Sequence, residues 1–225
     1  MLHIDWGKPL TAAIQTLKRL RSGIAVLDGL ITDSPFIEFY GEWSPVSLLM
    51  HRFVVENGGD VILTQEFGGL NTYLIEKICR NVGKRAEARV VRSFSLDSTL
   101  DALRLAAESE SQLAIVVDPY LYSPGKWWEY AFLTKVTAEL RRLAQLKSVV
   151  VFNRLSKFGK KTPEGGAFHS SSIFALVRIT SLKSVIHAAL IKHPAQPVSR
   201  VDFTYAELYG AERRWGEQRC LSEWL

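Results

Sequence analysis

The segment Leu113–Val117, LAIVV, is apolar at every position. A strand with one wet face alternates apolar and polar residues, so a strand apolar throughout is buried on both faces, as in a parallel sheet sandwiched between helices. Strand-like runs also fall at Phe36–Tyr40, Asp60–Thr64, Ala88–Phe94 and Val149–Phe152. Between them lie stretches with helical spacing: Leu48–Val55, Asn71–Asn81, Leu96–Glu108 and Trp127–Leu146. After a polar loop come three β-rich segments, Ile173–Ile179, Val185–Ile191 and Val201–Tyr205. Strands alternating with helices, then strands in succession, predict an α/β domain with a mainly parallel central sheet flanked by helices and a C-terminal antiparallel extension.

At 225 residues, 47% of them hydrophobic, the chain fits one domain spanning 1–225. Residues 1–22 read as a short helical segment with Leu10, Ile14, Leu17 and Leu20 at helical spacing, ended by Gly23. No apolar run approaches the ~18–20 residues a bilayer span needs, and the N-terminus lacks the pattern of a secretory signal. A cytoplasmic protein with no membrane association is the expectation. Cys79 and Cys220 form no CxxC pair and the five histidines no ligand cluster, so neither a metal nor another cofactor is expected. A net charge of +5 allows an acidic partner without requiring one.

In open α/β sheets, ligands bind at the carboxyl ends of strands. The first such end is FIEFYGEWSPVSLLM, 36–50, laid out as strand, glycine, loop and apolar helix. That is the layout of a phosphate-binding loop, G-x-x-x-x-G-K-[ST]. Counted from Gly41, the pattern requires glycine, lysine and serine or threonine where this chain has Val46, Ser47 and Leu48. Val46 blocks close backbone approach, Ser47 lacks the cation, and Leu48 cannot ligand Mg²⁺. Pro45 removes a backbone N–H from a loop that works by aiming N–H groups at an anion.

SGIAVLDGLI (22–31) is similar to the lead-in of RecA/RadA recombinases, matching at Gly23, Leu27, Asp28 and Leu30. IEFYGE (37–42) resembles the opening of that family's Walker A motif, and SQLAIVVD (111–118) its Walker B strand, with Asp118 at the terminal aspartate. SVVVFNRLSKFGKKTPEGG (148–166) and VIHAALIKHPAQPVSRVDFTYAELYG (185–210) resemble its later strand-and-loop and its closing hairpin. The chain thus resembles the RecA/RadA family, in particular its short archaeal RadB-like paralogs, collinearly over about residues 10–210. The resemblance implies a RecA-like core without the helix-hairpin-helix domain of RadA. It departs from the family at Walker A, at the catalytic glutamate, where Phe67 falls with Glu66 one residue away, and at Arg154, where the family has glutamine. Lacking lysine, Mg²⁺ ligand and glutamate, the chain is expected not to hydrolyse ATP. Gly41, Ser47, Leu48 and Asp118 then mark a degenerate nucleotide site.

What could still bind is the basic segment that follows Asn153. Arg154, Lys157, Lys160 and Lys161 could neutralise phosphates, and Phe158 could stack on an unpaired base. In the family the equivalent loop lines the DNA path. His169, just beyond, reads as structural support. Adjacent Trp127 and Trp128 cannot both face one core and are candidates for contact with a partner or DNA. Lys147 reads with Lys18, Arg19, Arg21, Arg141 and Arg142 as part of solvated helix faces. The expectation is a non-catalytic RadA-like paralog that binds DNA, single strands favoured, without ATP and assists recombination or repair. A RadA recombinase or another paralog is the expected protein partner. Two alternatives stand beside it: a structural or regulatory subunit docking on an ATP-binding relative, and an ATPase with an unconventional loop using Glu66 or Asp118.

Overall fold

The computed structural model describes residues 19–32, 34–65, 68–122, 130–156 and 161–211. The elements are α1 (Ala25–Leu30), β1 (Phe36–Gly41), α2 (Trp43–Asn57), β2 (Gly59–Leu63), α3 (Thr72–Val82), β3 (Ala88–Arg92), α4 (Leu96–Glu108), β4 (Leu113–Val117), α5 (Tyr130–Leu146), β5 (Ser148–Arg154), α6 (Gly166–Ser172), β6 (Ala175–Leu182), β7 (Val185–Lys192), β8 (Ser199–Thr204) and α7 (Tyr205–Leu208). The strands form one sheet in the order β3-β2-β4-β5-β1-β6-β7-β8. Pairings from β3 across to β6 are parallel, and β7 and β8 add on antiparallel. This is the expected α/β core with its C-terminal antiparallel extension.

The packing explains why LAIVV is apolar throughout. Leu113, Ile115 and Val117 join the layer containing α2 residues, whereas Ala114 and Val116 join the layer containing α4 and α5 residues. Side chains alternate faces along a strand, so a sheet covered on both sides needs apolar residues at every position. At the centre of the first layer the rings of Phe39, Phe53 and Phe152 pack with centroids 5.3–5.5 Å apart.

Two local readings change. Gly23, at φ +73°, leads into α1 instead of ending a helix. Ser22 Oγ donates to Asp28 Oδ1 at 2.6 Å, and Arg52 of α2 donates to Gly23 O at 3.3 Å. Residues 19–22 of the predicted N-terminal helical segment are not helical, and 1–18 lie outside the described residues. The second change is that α2 begins at Trp43, not Leu48, so the expected loop is the first turn of a helix. Among the described residues no helix is long and apolar enough to cross a membrane.

Lys147 is not part of a solvated face. It is 3% exposed, and its Nζ donates to Ala106 O at 2.5 Å, Ser109 O at 3.0 Å and Ser109 Oγ at 2.9 Å, covering carbonyls at the C-terminal end of α4. Burial lowers its pKa, against the pull of Asp60. Lys147→Met keeps the aliphatic stem but leaves those acceptors without their donor. It is expected to destabilise the fold by about 1–3 kcal/mol in urea denaturation, and an unchanged midpoint would remove this role.

Candidate functional site

The carboxyl ends of β1, β4 and β5 lie side by side, because β5 pairs in parallel with both neighbours. Gly41 ends β1 at φ +146°, and a Cβ there would sit 1.9 Å from Ile179 O. The glycine is therefore required by the close approach of β6, whose Ile179 carbonyl also accepts from Glu42 N–H at 3.1 Å. One residue, Glu42, separates β1 from α2. Its carboxylate accepts from the Ser181 backbone N–H at 3.0 Å, which ties the junction to β6.

This junction has helical geometry where a phosphate loop needs an open ring of N–H donors. Val46 N–H donates to Glu42 O at 3.2 Å, the first turn of α2. Pro45 is tolerated there because a first-turn residue needs no intrahelical N–H bond, and it supplies none to a ligand. Val46 and Leu48 are buried in the core layer below, with Leu48 6% exposed. Ser47 is half-buried, and its carbonyl accepts from His51 Nδ1 at 2.6 Å. A triphosphate with Mg²⁺ needs a glycine-lined cradle, a cation and a hydroxyl at these positions, and these residues do not fit it.

At the neighbouring strand ends stands a contact that sequence reasoning missed. Arg154, at the end of β5, places its guanidinium 4.2 Å from the Trp43 ring centroid. Its Nε donates to Asp118 Oδ2 at 2.5 Å. Asp118 follows β4 in the left-handed region at φ +54°, its side chain 2% exposed against 39% for Arg154. The Asp118 N–H donates to Phe152 O at 2.7 Å, fixing the residue to β5. Arg154 thus meets an aspartate and an aromatic face of its own chain. The only clue in the sequence was an arginine where the related pattern carries glutamine.

Beyond Arg154 the basic segment leaves the sheet on an antiparallel stem. Ser156 N–H donates to Thr162 O at 2.9 Å, Glu164 N–H donates to Arg154 O at 3.0 Å, and Leu155 bridges Pro163. Side chains of the sheet hold the stem: Asn153 Nδ2 donates to Glu164 O at 2.9 Å, and Tyr40 OH to Lys161 O at 3.2 Å. Burial raises the Tyr40 pKa, opposed by Arg178. The Lys161 side chain is exposed. Lys157, Phe158 and Lys160 lie outside the described residues, as do Trp127, Trp128 and Glu66.

Behind the stem runs a buried polar chain. Asn153 Nδ2 donates to Glu38 Oε1 at 2.7 Å, and His169 Nε2 lies 2.9 Å from Glu38 Oε2. The latter pair is close but out of line for a hydrogen bond, and neither atom has a hydrogen-bond partner among the described residues. Tyr120 OH is hydrogen-bonded to His169 Nδ1 at 2.7 Å and to Thr137 at 2.8 Å. Burial pushes the Tyr120 pKa well up. His169 is fully buried, which accords with structural support. Among the described residues no group of three or more His, Cys, Asp or Glu is placed to hold a metal ion.

No protein-family model matches the sequence, and no curated protein does either. Solved structures do. The crystal structure of the RadB recombinase superposes with a TM-score of 0.70 at 15% identity, covering 84% of this chain and 97% of that one. A second solved structure, an ATPase domain, superposes with a TM-score of 0.61 at 12% identity, covering 86% of this chain and 90% of that one. The fold is RecA-like. Identities this low show the fold alone.

On α2, one turn beyond Ser47, His51 has both ring nitrogens engaged: Nδ1 donates to Ser47 O, and Nε2 accepts from Asn71 N–H at 2.8 Å. Asn71 in turn caps α3, its Oδ1 accepting from Leu74 N–H at 3.2 Å. Burial lowers the His51 pKa, opposed by the Ser47 carbonyl. Above about pH 6.5 the ring is neutral in both folded and unfolded chains. As pH falls below that value the unfolded chain takes up the proton first, so this contribution to stability is lost with acidification. Wild type should therefore lose more stability between pH 7.5 and 5.5 than His51→Gln, in paired urea titrations. Equal slopes would show that His51 does not carry this linkage.

Proposed function

We propose that this chain is a non-catalytic RecA/RadA-family paralog, RadB-like, that binds DNA without nucleotide, single strands favoured, and assists homologous recombination or DNA repair alongside an active recombinase. The observation that carries the reading is the junction at Gly41–Trp43. A strand that passes through one residue into a helix containing Pro45, Val46 and Leu48 offers no cradle for phosphates. By this reading Gly41, Ser47, Leu48 and Asp118 are remnants of a nucleotide site, each now serving the fold. Gly41 admits the Ile179 backbone, the Ser47 carbonyl holds His51, Leu48 packs in the core, and Asp118 holds Arg154.

The DNA-binding part rests on the basic segment, whose root is held at Asn153 and Tyr40 and whose Lys161 is exposed. Cations on such a stem neutralise phosphates without reading sequence, and an aromatic among them stacks on unpaired bases. A second reading, a subunit docking on an ATP-binding relative with no role on DNA, is favoured by edge strand β3, where four of five residues are exposed. An unpaired, exposed strand edge is a template for another chain.

Fluorescence anisotropy with labelled single- and double-stranded DNA over a salt series, with and without ATP, decides between them. Micromolar or tighter binding that weakens steeply with salt and ignores ATP is the expected result. The Lys157→Ala/Lys160→Ala/Lys161→Ala variant should bind about tenfold or more weakly, its log–log salt slope reduced by about 2 for three lost contacts to a single strand. Absence of salt-dependent binding would leave the docking reading in its place.

A further inference from the structure

Two roles are open to Arg154 at the root of the basic segment: it can be a phosphate ligand, or an internal strut that sets where the other basic residues point. We propose that it is the strut, a positioning residue that fixes the stem and does not itself touch nucleic acid. The inference rests on the DNA-binding reading above. It goes further by removing Arg154 from the contact set that its sequence neighbourhood suggests, and by giving Asp118 and Trp43 a part in binding.

The argument is one of competing partners. Arg154 Nε already donates to Asp118, a carboxylate whose side chain is 2% exposed, and its guanidinium face already lies on Trp43. Its Nη groups remain, but the charge behind them is already matched by the buried Asp118 carboxylate, so a phosphate would meet an ion pair and not a lone cation, and drawing the guanidinium outward would remove a charge partner from a buried group. The carboxylate cannot follow it outward, because Asp118 is held to β5 through its N–H on Phe152 O and sits in the left-handed region. The grip passes directly to the stem: the Arg154 carbonyl accepts from Glu164 N–H, and Leu155, the next residue, bridges Pro163. Lys161 has the opposite arrangement. Its backbone carbonyl is tied to Tyr40 while its side chain is exposed, so the anchor is the main chain and the charge is available. One basic residue of the segment is therefore used as an anchor, and another is presented.

The test uses the full chain with Arg154→Ala, Arg154→Lys and Asp118→Asn. Asparagine tolerates the left-handed backbone at 118 while removing the charge. Binding to a labelled single strand is measured across a salt series, and hydrogen exchange is followed at the amides of Ser156 and Glu164 in free protein. The proposal expects Arg154→Ala and Asp118→Asn both to weaken binding by roughly five- to tenfold with an unchanged salt slope, since no phosphate contact is lost. It also expects exchange at both amides to quicken about tenfold or more as the stem loosens, with Arg154→Lys restoring part of both effects. A slope reduced by about 0.7 in Arg154→Ala, or tighter binding by Asp118→Asn, would show a phosphate ligand and overturn the proposal. Unchanged exchange at Ser156 and Glu164 would overturn it as well. Wild-type protein that binds no DNA at any salt overturns the DNA-binding reading itself, a result distinct from a wrong role for Arg154. If an Arg154 variant does not fold, Trp43→Leu removes the ring beneath the guanidinium and must give the same pair of effects for the proposal to hold.

Discussion

Glu38 puts a carboxyl group with no solvent exposure in the middle of a parallel sheet. A polar group in that position is destabilising by several kcal/mol unless partners come with it, so the placement of those partners is a condition of folding. Asn153 reaches Glu38 from β5 and His169 reaches it from α6. Tyr120, just past β4, continues the chain from His169 to Thr137 on α5. Two strands and a helix meet at Glu38, and the chain runs on from there to α5. Asn153 shares its amide with Glu164 O, so the group that donates to Glu38 Oε1 also fixes the stem of the basic segment. The core and the candidate binding surface are therefore not separable, and a disturbance at Glu38 reaches the root of the stem through a single side chain.

A parallel sheet also accounts for where chemistry gathers. Parallel strands end together, so the ends of β1, β4 and β5 present Gly41, Asp118 and Arg154 as neighbours although they are far apart in sequence. In sheets of this kind that edge is the usual place for ligands, because strand ends and loops leave polar groups facing a crevice. Here those groups are turned on one another. Asp118 faces Arg154, Arg154 lies on Trp43, and the Glu42 carboxylate is taken up by Ser181. A site built to receive phosphate keeps donors unsatisfied until the ligand arrives. At this edge Arg154 Nε and the Ser181 N–H already have carboxylate partners.

The sheet was legible in the sequence because its central strands are mostly apolar, as LAIVV shows, and because helical spacing separates the strands. The helix starts were less legible. Glycine at 23 reads as a helix break and proline at 45 as part of a loop, yet Gly23 turns the chain into α1 and Pro45 sits in the first turn of α2, where a missing N–H is harmless. Periodicity registers where apolar residues recur, and the first turn of α2, Trp43-Ser44-Pro45, has no recurrence to register. Lys147 was missed for a related reason. Charge in a sequence suggests solvent, and only the tertiary structure supplies the carbonyls of Ala106 and Ser109 that draw an ammonium inward. The Arg154–Asp118–Trp43 contact joins residues 36 and 111 positions apart, beyond any local pattern. The arginine was visible, but its partners were not.

Those partners bear on how a surface of this sort could bind at all. A flexible basic loop attracts an anionic polymer but must be ordered as it binds, which offsets roughly 0.5–1.5 kcal/mol per immobilised side chain in addition to the backbone term. The stem at Asn153–Ser156 and Lys161–Glu164 meets the ordering requirement during folding, through contacts to Glu38, Tyr40, Asp118 and Trp43 that need no ligand. In the proposed DNA-binding role this preorganisation needs no bound nucleotide. In that role the helical junction at Gly41 and the ion pair at Arg154 complement each other. A stem fixed in that role by its own carboxylate and aromatic ring needs no phosphate to fix it.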